Sequence, residues 1–175
     1  MKVTINANGK TVQVEMTEEQ LKELGVSRTG YERVKKDETY YVIDTEYNSM
    51  SKITEFNDQE DEQCYNAGNY FNDKIIAENN ARADKLLRCL RQWQAQNDKP
   101  ISMSDWKNDN ISKYYVDYDC FHELFFVTYA VRRRSLNNIY FTSDEKAKEA
   151  IEVFRDELLW YFTEYQQRLD EEQGE

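Results

Sequence analysis

The sequence predicts an α+β fold: antiparallel sheets with long amphipathic helices, arranged as duplicated ββα units behind an N-terminal β-hairpin and short helix. Three observations carry this. Strand-like stretches come in adjacent pairs: "KVTIN" with "KTVQVE", "TYYVIDTEY" with "MSKITEF", and "KYYVDYD" with "ELFFVTYAV". Two long stretches place apolar residues at helical spacing. One order of elements (strand, strand, Asn-containing turn, Tyr-Phe, helix) occurs twice. A two-stranded unit is unstable alone and must lay one face on a helix, which makes ββα a natural building block.

The first hairpin alternates on both arms, with Asn8-Gly9 as turn chemistry. Thr17 and Gln20 form a capping box for a short helix with Leu21 and Leu24 on one stripe, stopped at Gly25. Residues 26–38 are polar and read as irregular. After the second strand pair, "NDQEDEQ" reads as a loop. A helix is expected from about Asp73 to Trp93, with Asn72 as N-cap. Its apolar positions are Ile76, Ala83, Leu87 and Leu90, interrupted by Asn80. Residues 95–112, with Pro100, read as a connector. After the third strand pair, "RRRSLNN" turns the chain and Thr142 with Glu145 forms another capping box. A helix then runs from about Ser143 to Tyr165, with Ala147, Ile151, Phe154, Leu158 and Tyr161 on one face.

Tyr40-Tyr41 and Tyr114-Tyr115 open the two halves, 74 residues apart; Tyr70-Phe71 and Tyr140-Phe141 follow, 70 apart. The difference implies a four-residue insertion (74 − 70). The chain divides on this reading into a hairpin-helix unit (1–38), a first ββα half (39–96), a second (97–168) and an acidic tail (169–175).

Charge narrows the function. A net charge of −11 repels nucleic acid unless a basic patch is segregated on one face. It suits basic partners, such as proteins that hold DNA or RNA, and it also serves solubility. With 13 Tyr, 8 Phe and 3 Trp the chain is too aromatic to be disordered. Cys64, Cys89 and Cys120 form no CxxC pair, which points to a reducing cytosol. The start "MKVTINANGK" is too polar for a signal peptide, and no stretch is apolar enough for a membrane helix. The expected place is the cytoplasm, with no membrane partner.

The densest charge feature is 44–62: Asp44, Glu46, Glu55, Asp58, Glu60, Asp61 and Glu62 against Lys52 alone, interleaved with Tyr47 and Phe56. Carboxylates at irregular spacing beside aromatics imitate a phosphate backbone with bases; a solvated hairpin and loop has the same composition. These acids lack the glycine and spacing of an EF-hand. Asp117, Asp119 and Glu123 form a nonspecific candidate trio for a Mg²⁺ nuclease, with His122 nearby. Cys120 and His122 would share a strand face, but a nucleophile pair also needs a hydrogen bond and an orienting group, and a lone His near Cys in a turn is far more often structural. Cys64, Cys89, Cys120 and His122 have zinc-ligand types without zinc spacing. Neither a cofactor nor a catalytic residue is assigned, and the balance leans away from an enzyme. Arg132, Arg133 and Arg134 are the candidate nucleotide or phosphate contacts. Trp160, Tyr161, Phe162 and Tyr165 exceed what one helix face can bury, which makes Trp160 a candidate partner contact and a homodimer conceivable.

Two stretches carry a resemblance. "ERVKKDETYYVIDTEYN" with "DQEDEQCYNAGNYFNDKIIAENNA", and "KYYVDYD" with "NNIYFTSDEKAKEAIEVFRDELLWYF", resemble small accessory proteins of phages and prophages of Gram-positive bacteria. The matching positions are Glu38, Tyr40, Tyr41, Ile43, Asp44, Gly68, Asn69, Tyr70 and Phe71. The helix departs from the family's Glu-Glu-Ala start. What the resemblance implies is context: such proteins often disarm host defence, and some are similar to anti-CRISPR proteins. The implied partner is a basic nucleic-acid-binding protein, a CRISPR effector nuclease; no functional residue carries over from the family, and the contacts expected from the residues themselves are Asp44, Glu46, Tyr47, Glu55, Asp58, Glu60, Asp61, Glu62 and Trp160. A nuclease acting on guide or host RNA and a sponge for a signalling nucleotide are the alternatives.

Overall fold

The computed structural model describes residues 2–7, 10–17, 20, 28–47 and 49–171. The fold is α+β. Its elements in order are β1 (Lys2–Ala7), β2 (Lys10–Glu15), β3 (Thr39–Asp44), β4 (Ser49–Thr54), α1 (Gln59–Asn66), α2 (Lys74–Asn97), α3 (Met103–Trp106), β5 (Lys113–Asp119), β6 (Leu124–Ala130) and α4 (Asp144–Thr163). The strands form three separate two-stranded sheets: β1–β2, β3–β4 and β5–β6. In the first, Lys2 pairs with Glu15 and Ala7 with Lys10. The Asn8-Gly9 turn and the helix after Thr17 lie outside the described residues. Thr17 and Gln20 do exchange the two hydrogen bonds of a capping box, at 2.9 and 3.3 Å.

The chain folds as two compact units: residues 1–42, 52–76 and 166–175, and residues 43–51 and 77–165. In the first, Tyr40 lies flat on Tyr70, their centroids 4.0 Å apart, and both are buried with Phe71 and Ile76. Gly30 has φ +94° and touches Ile76, where a Cβ would stand 3.0 Å from Cγ1, so both the turn and the close approach need glycine. Residues 28–38 are irregular as expected, yet this polar stretch supplies the groups that organise the unit. Its contacts run partly within the stretch and partly to residues distant in sequence, and they carry no periodic signal. The carboxylate of Glu32 accepts from Thr29 N–H (2.6 Å), the Thr29 hydroxyl (2.8 Å), Gly30 N–H (3.2 Å) and Asn72 Nδ2 (2.9 Å).

Those bonds set a pH dependence. Burial pushes the Glu32 carboxyl up, but its donors outweigh burial and hold it at about 2, below the usual 4.5. The unfolded chain therefore binds this proton more readily. The stabilisation is complete above pH 4.5 and is lost as the pH falls towards 2. After allowance for solvent screening it amounts to about 1–2 kcal/mol. In urea titrations between pH 5 and 2.5, Glu32→Gln should lose this acid-side decline, measured against the wild-type slope.

In the second unit α4 packs on the β5–β6 sheet. The core joins Leu86 and Leu90 of α2 to Phe141 and to Ala147, Ala150, Ile151 and Leu158 of α4. Val116, Phe125 and Val127 of the sheet close over them. The α4 stripe matches the sequence expectation. It is interrupted at Phe154, where φ −114° and ψ 18° break the helical path.

Four local expectations are corrected. The "NDQEDEQ" stretch is helical: Asp58 caps Glu60 and Asp61 N–H, Asp61 reciprocates, and three acids occupy the electropositive first turn. The connector contains α3, started by a Ser102–Asp105 capping box that places Trp106 inside. The N-cap of α2 is Asp73, which accepts from Ile75 and Ile76 N–H, while Asn72 is drawn to Glu32. The N-cap of α4 is Ser143, because Asp98 takes both Thr142 donors.

The duplication has a structural counterpart, shifted by one residue. Tyr41 bridges Phe71, and Tyr114 bridges Phe141. Tyr41, not Tyr40, therefore corresponds to Tyr114, an offset of 73 (114 − 41). Tyr40 then corresponds to Lys113, and both are buried. Lys113 Nζ donates to the carbonyls of Ile111 and Val131, each at 2.7 Å, and lies 5.0 Å from the Trp106 ring centre.

Candidate functional site

The acidic segment divides by role. Glu55 is fully buried: Arg33 grips it with Nη2 (3.1 Å) and Nε (3.3 Å), Tyr70 donates its hydroxyl (2.7 Å) and Asn57 its N–H (2.9 Å). Asp61 is also buried, receiving the Tyr40 hydroxyl (2.8 Å) and the N–H groups of Phe56 (2.7 Å) and Asp58 (3.2 Å). Burial pushes Asp61 up, and these donors bring it below the usual carboxylate range. Burial, with the carboxylates as acceptors, raises both tyrosine hydroxyls. Glu55 and Asp61 are thus internal anchors and are not offered to a partner. Asp58 is spent on the helix cap.

What remains in water in this unit is a short acid-aromatic surface. Glu60 and Glu62 stand on α1, flanked by Phe56 and Tyr65, which are 57% and 42% exposed. Arg33 bridges Glu55 to Glu62 and holds Glu62 below its usual range. It also lies 5.7 Å from the Tyr65 ring centre, so one guanidinium orders both Glu62 and Tyr65. In the second unit Asp44 caps its turn by accepting from Glu46 and Tyr47 N–H, leaving the Glu46 and Tyr47 side chains exposed.

Trp160 is buried, contrary to its reading as an exposed contact. The Arg82 guanidinium lies 4.0 Å above its ring and is fixed by Glu157, with Nε to Oε2 at 2.9 Å. Beside them is a cleft of about 690 Å³ lined by Arg82, Lys85, Cys89, Phe154 and Glu157. The basic cluster is dispersed: Arg132 pairs with Asp109, Arg134 lies 5.2 Å from the Trp106 ring centre, and Arg133 is exposed.

Asp117 and Asp119 do share one face of β5, paired opposite Phe126 and Leu124. Cys120, His122 and Glu123 lie in the turn beyond it and not on a strand face. His122 Nδ1 meets Asp119 Oδ2 at 2.7 Å in the open, and this contact lowers the Asp119 carboxyl. Among the described residues no three His, Cys, Asp or Glu side chains converge to hold a metal ion, and no helix is long and apolar enough to cross a membrane. Comparison of the chain with protein-family models, curated proteins and solved structures finds no match.

Proposed function

We propose that this chain acts by binding and not by catalysis, as a phage-encoded inhibitor of host defence: an anti-CRISPR protein that occupies a nucleic-acid groove of an effector nuclease. The observation that supports this reading is the α1 surface. Glu60 and Glu62 stand in water between exposed Phe56 and Tyr65, on an element pinned from inside by Glu55, Asp61 and Arg33. Such a surface presents fixed negative charge beside rings and loses little entropy on docking. A groove built of Lys and Arg for nucleic acid is its electrostatic complement, and the net charge of −11 adds long-range attraction.

The test is competition. Guide-loaded Cas9-type effectors from Gram-positive bacteria are titrated with the protein, and target DNA binding is read at several salt concentrations. Effective competition that fades as salt rises is expected. Joint replacement of Phe56 by Ala and of Glu60 and Glu62 by Gln should weaken it about tenfold or more and flatten its salt dependence. An absence of competition across the panel, or a triple variant equal to wild type, would overturn the reading.

A further inference from the structure

Of the six strands among the described residues, β6 alone carries no charged residue; it reads LFFVTYA. Its pairing with β5 fixes the direction of its backbone groups. Tyr114 donates its N–H to Phe141 (2.9 Å) and accepts that residue's N–H (2.7 Å), so its backbone points away from β6. Tyr114 stands opposite Tyr129, Val116 opposite Val127 and Tyr118 opposite Phe125. These are therefore the non-hydrogen-bonded pairs of the ladder. Phe125, Val127 and Tyr129 aim their N–H and C=O groups at the far edge, where no backbone partner meets them among the described residues. Proteins usually blunt such an edge with Lys, Pro, a bulge or a covering element. Neither Lys nor Pro occurs in β6.

We propose that β6 pairs with β6 of a second copy of this chain, antiparallel about a two-fold axis at Val127. In that register Val127 faces itself and Phe125 faces Tyr129 of the other copy. All three are the residues whose backbone groups point outward, so three pairs with two bonds each give about six hydrogen bonds. The side chains fit the same register. Tyr129, 60% exposed, is brought to Phe125 of the other copy, beside a groove of about 340 Å³ lined by Tyr118, Phe125, Arg155 and Leu159. On the opposite face Phe126 meets Thr128, and Leu124 meets Ala130.

Charge selects a second copy over other occupants. Asp119 and Glu123 precede β6, and Arg132, Arg133 and Arg134 follow it. Antiparallel pairing places each copy's acidic end beside the other's basic end, at both ends of the ladder. A parallel arrangement would set acid against acid. Two chains of net charge −11 repel at long range, and this local match offsets that repulsion where they meet. Neither Glu123 nor Arg133 forms a salt bridge among the described residues. A strand edge alone is smaller than a standard interface, so the dimer forms reversibly with a Kd of about 1–100 μM.

Sedimentation velocity over a range of concentrations, with amide hydrogen exchange on the full chain, tests this. The expected result is a reversible monomer–dimer equilibrium in which the amides of Phe125, Val127 and Tyr129 gain protection as concentration rises. Tyr129→Lys should weaken dimerisation at least tenfold. Glu123→Lys and Arg133→Glu should each weaken it, and their combination should restore it. Both lie outside the strands, so they decide the matter even if Tyr129→Lys fails to fold. A monomer at all concentrations overturns the proposal. So does concentration-dependent protection confined to other residues, or a charge-swapped pair no better than either single variant.

Discussion

Glu55→Ala is expected to destabilise the first unit by about 2–4 kcal/mol, somewhat under the range for a fully buried ion pair because the Arg33 side chain is partly exposed. The substitution would strip the Arg33 guanidinium of both its bonds to Glu55 and leave the buried Tyr70 hydroxyl without its acceptor. It would also open the path by which Arg33 orders Glu62 and Tyr65. The loss should appear as a lower urea midpoint by far-UV circular dichroism. Glu62→Ala is the control: it removes the exposed end of the same bridge and should cost about 0–1 kcal/mol. Equal effects for the two variants would mean that Glu55 is not the anchor.

Phe141→Ala should cost the second unit about 3–5 kcal/mol, from lost apolar burial and the cavity left behind. The ring is buried among Leu86, Leu90, Ile151 and Leu158 and meets Trp93 edge-on at 6.0 Å. Its backbone also joins the start of β5 to the start of α4 through Tyr114. For a chain of this size the thermal midpoint should fall by about 10 °C. Val153→Ala, on the exposed side of α4, should stay within about 0.5 kcal/mol of wild type. A small effect at Phe141 would show that this core collapses to fill the gap.

The regular elements were legible because their signals are local. Alternation fixed β5 to the residue, and the α4 stripe was right because period 3.6 survives even the break at Phe154. The first acidic stretch misled because it lacks an apolar stripe. Its Asp-x-x-Asp spacing was the available sign of a helix start. The caps shifted by one because Asn72 and Thr142 are claimed by Glu32 and Asp98, partners distant in sequence. Composition alone could not separate Glu55 and Asp61 from Glu60 and Glu62. Which acids turn inward depends on Arg33, Tyr40 and Tyr70 arriving from elsewhere. The aromatic surplus at the end of α4 was real, but an arginine from α2 covers Trp160. The register of the repeat was misplaced because Lys113 takes the inward position that tyrosine fills in the other half.

The distribution of indoles has a spectroscopic consequence. Trp93, Trp106 and Trp160 are the chain's only tryptophans, and all belong to the second unit, whereas the first rests on stacked tyrosines. Emission excited at the red edge of the ultraviolet band therefore follows one unit alone, with Trp160 further marked by quenching or shift from the guanidinium above it. Loss of the Tyr40–Tyr70 stack leaves that signal untouched unless the two units melt in concert. The native chain thus carries its own colour code for cooperativity: coincident tryptophan and backbone transitions mean one folding unit, and separated ones mean two.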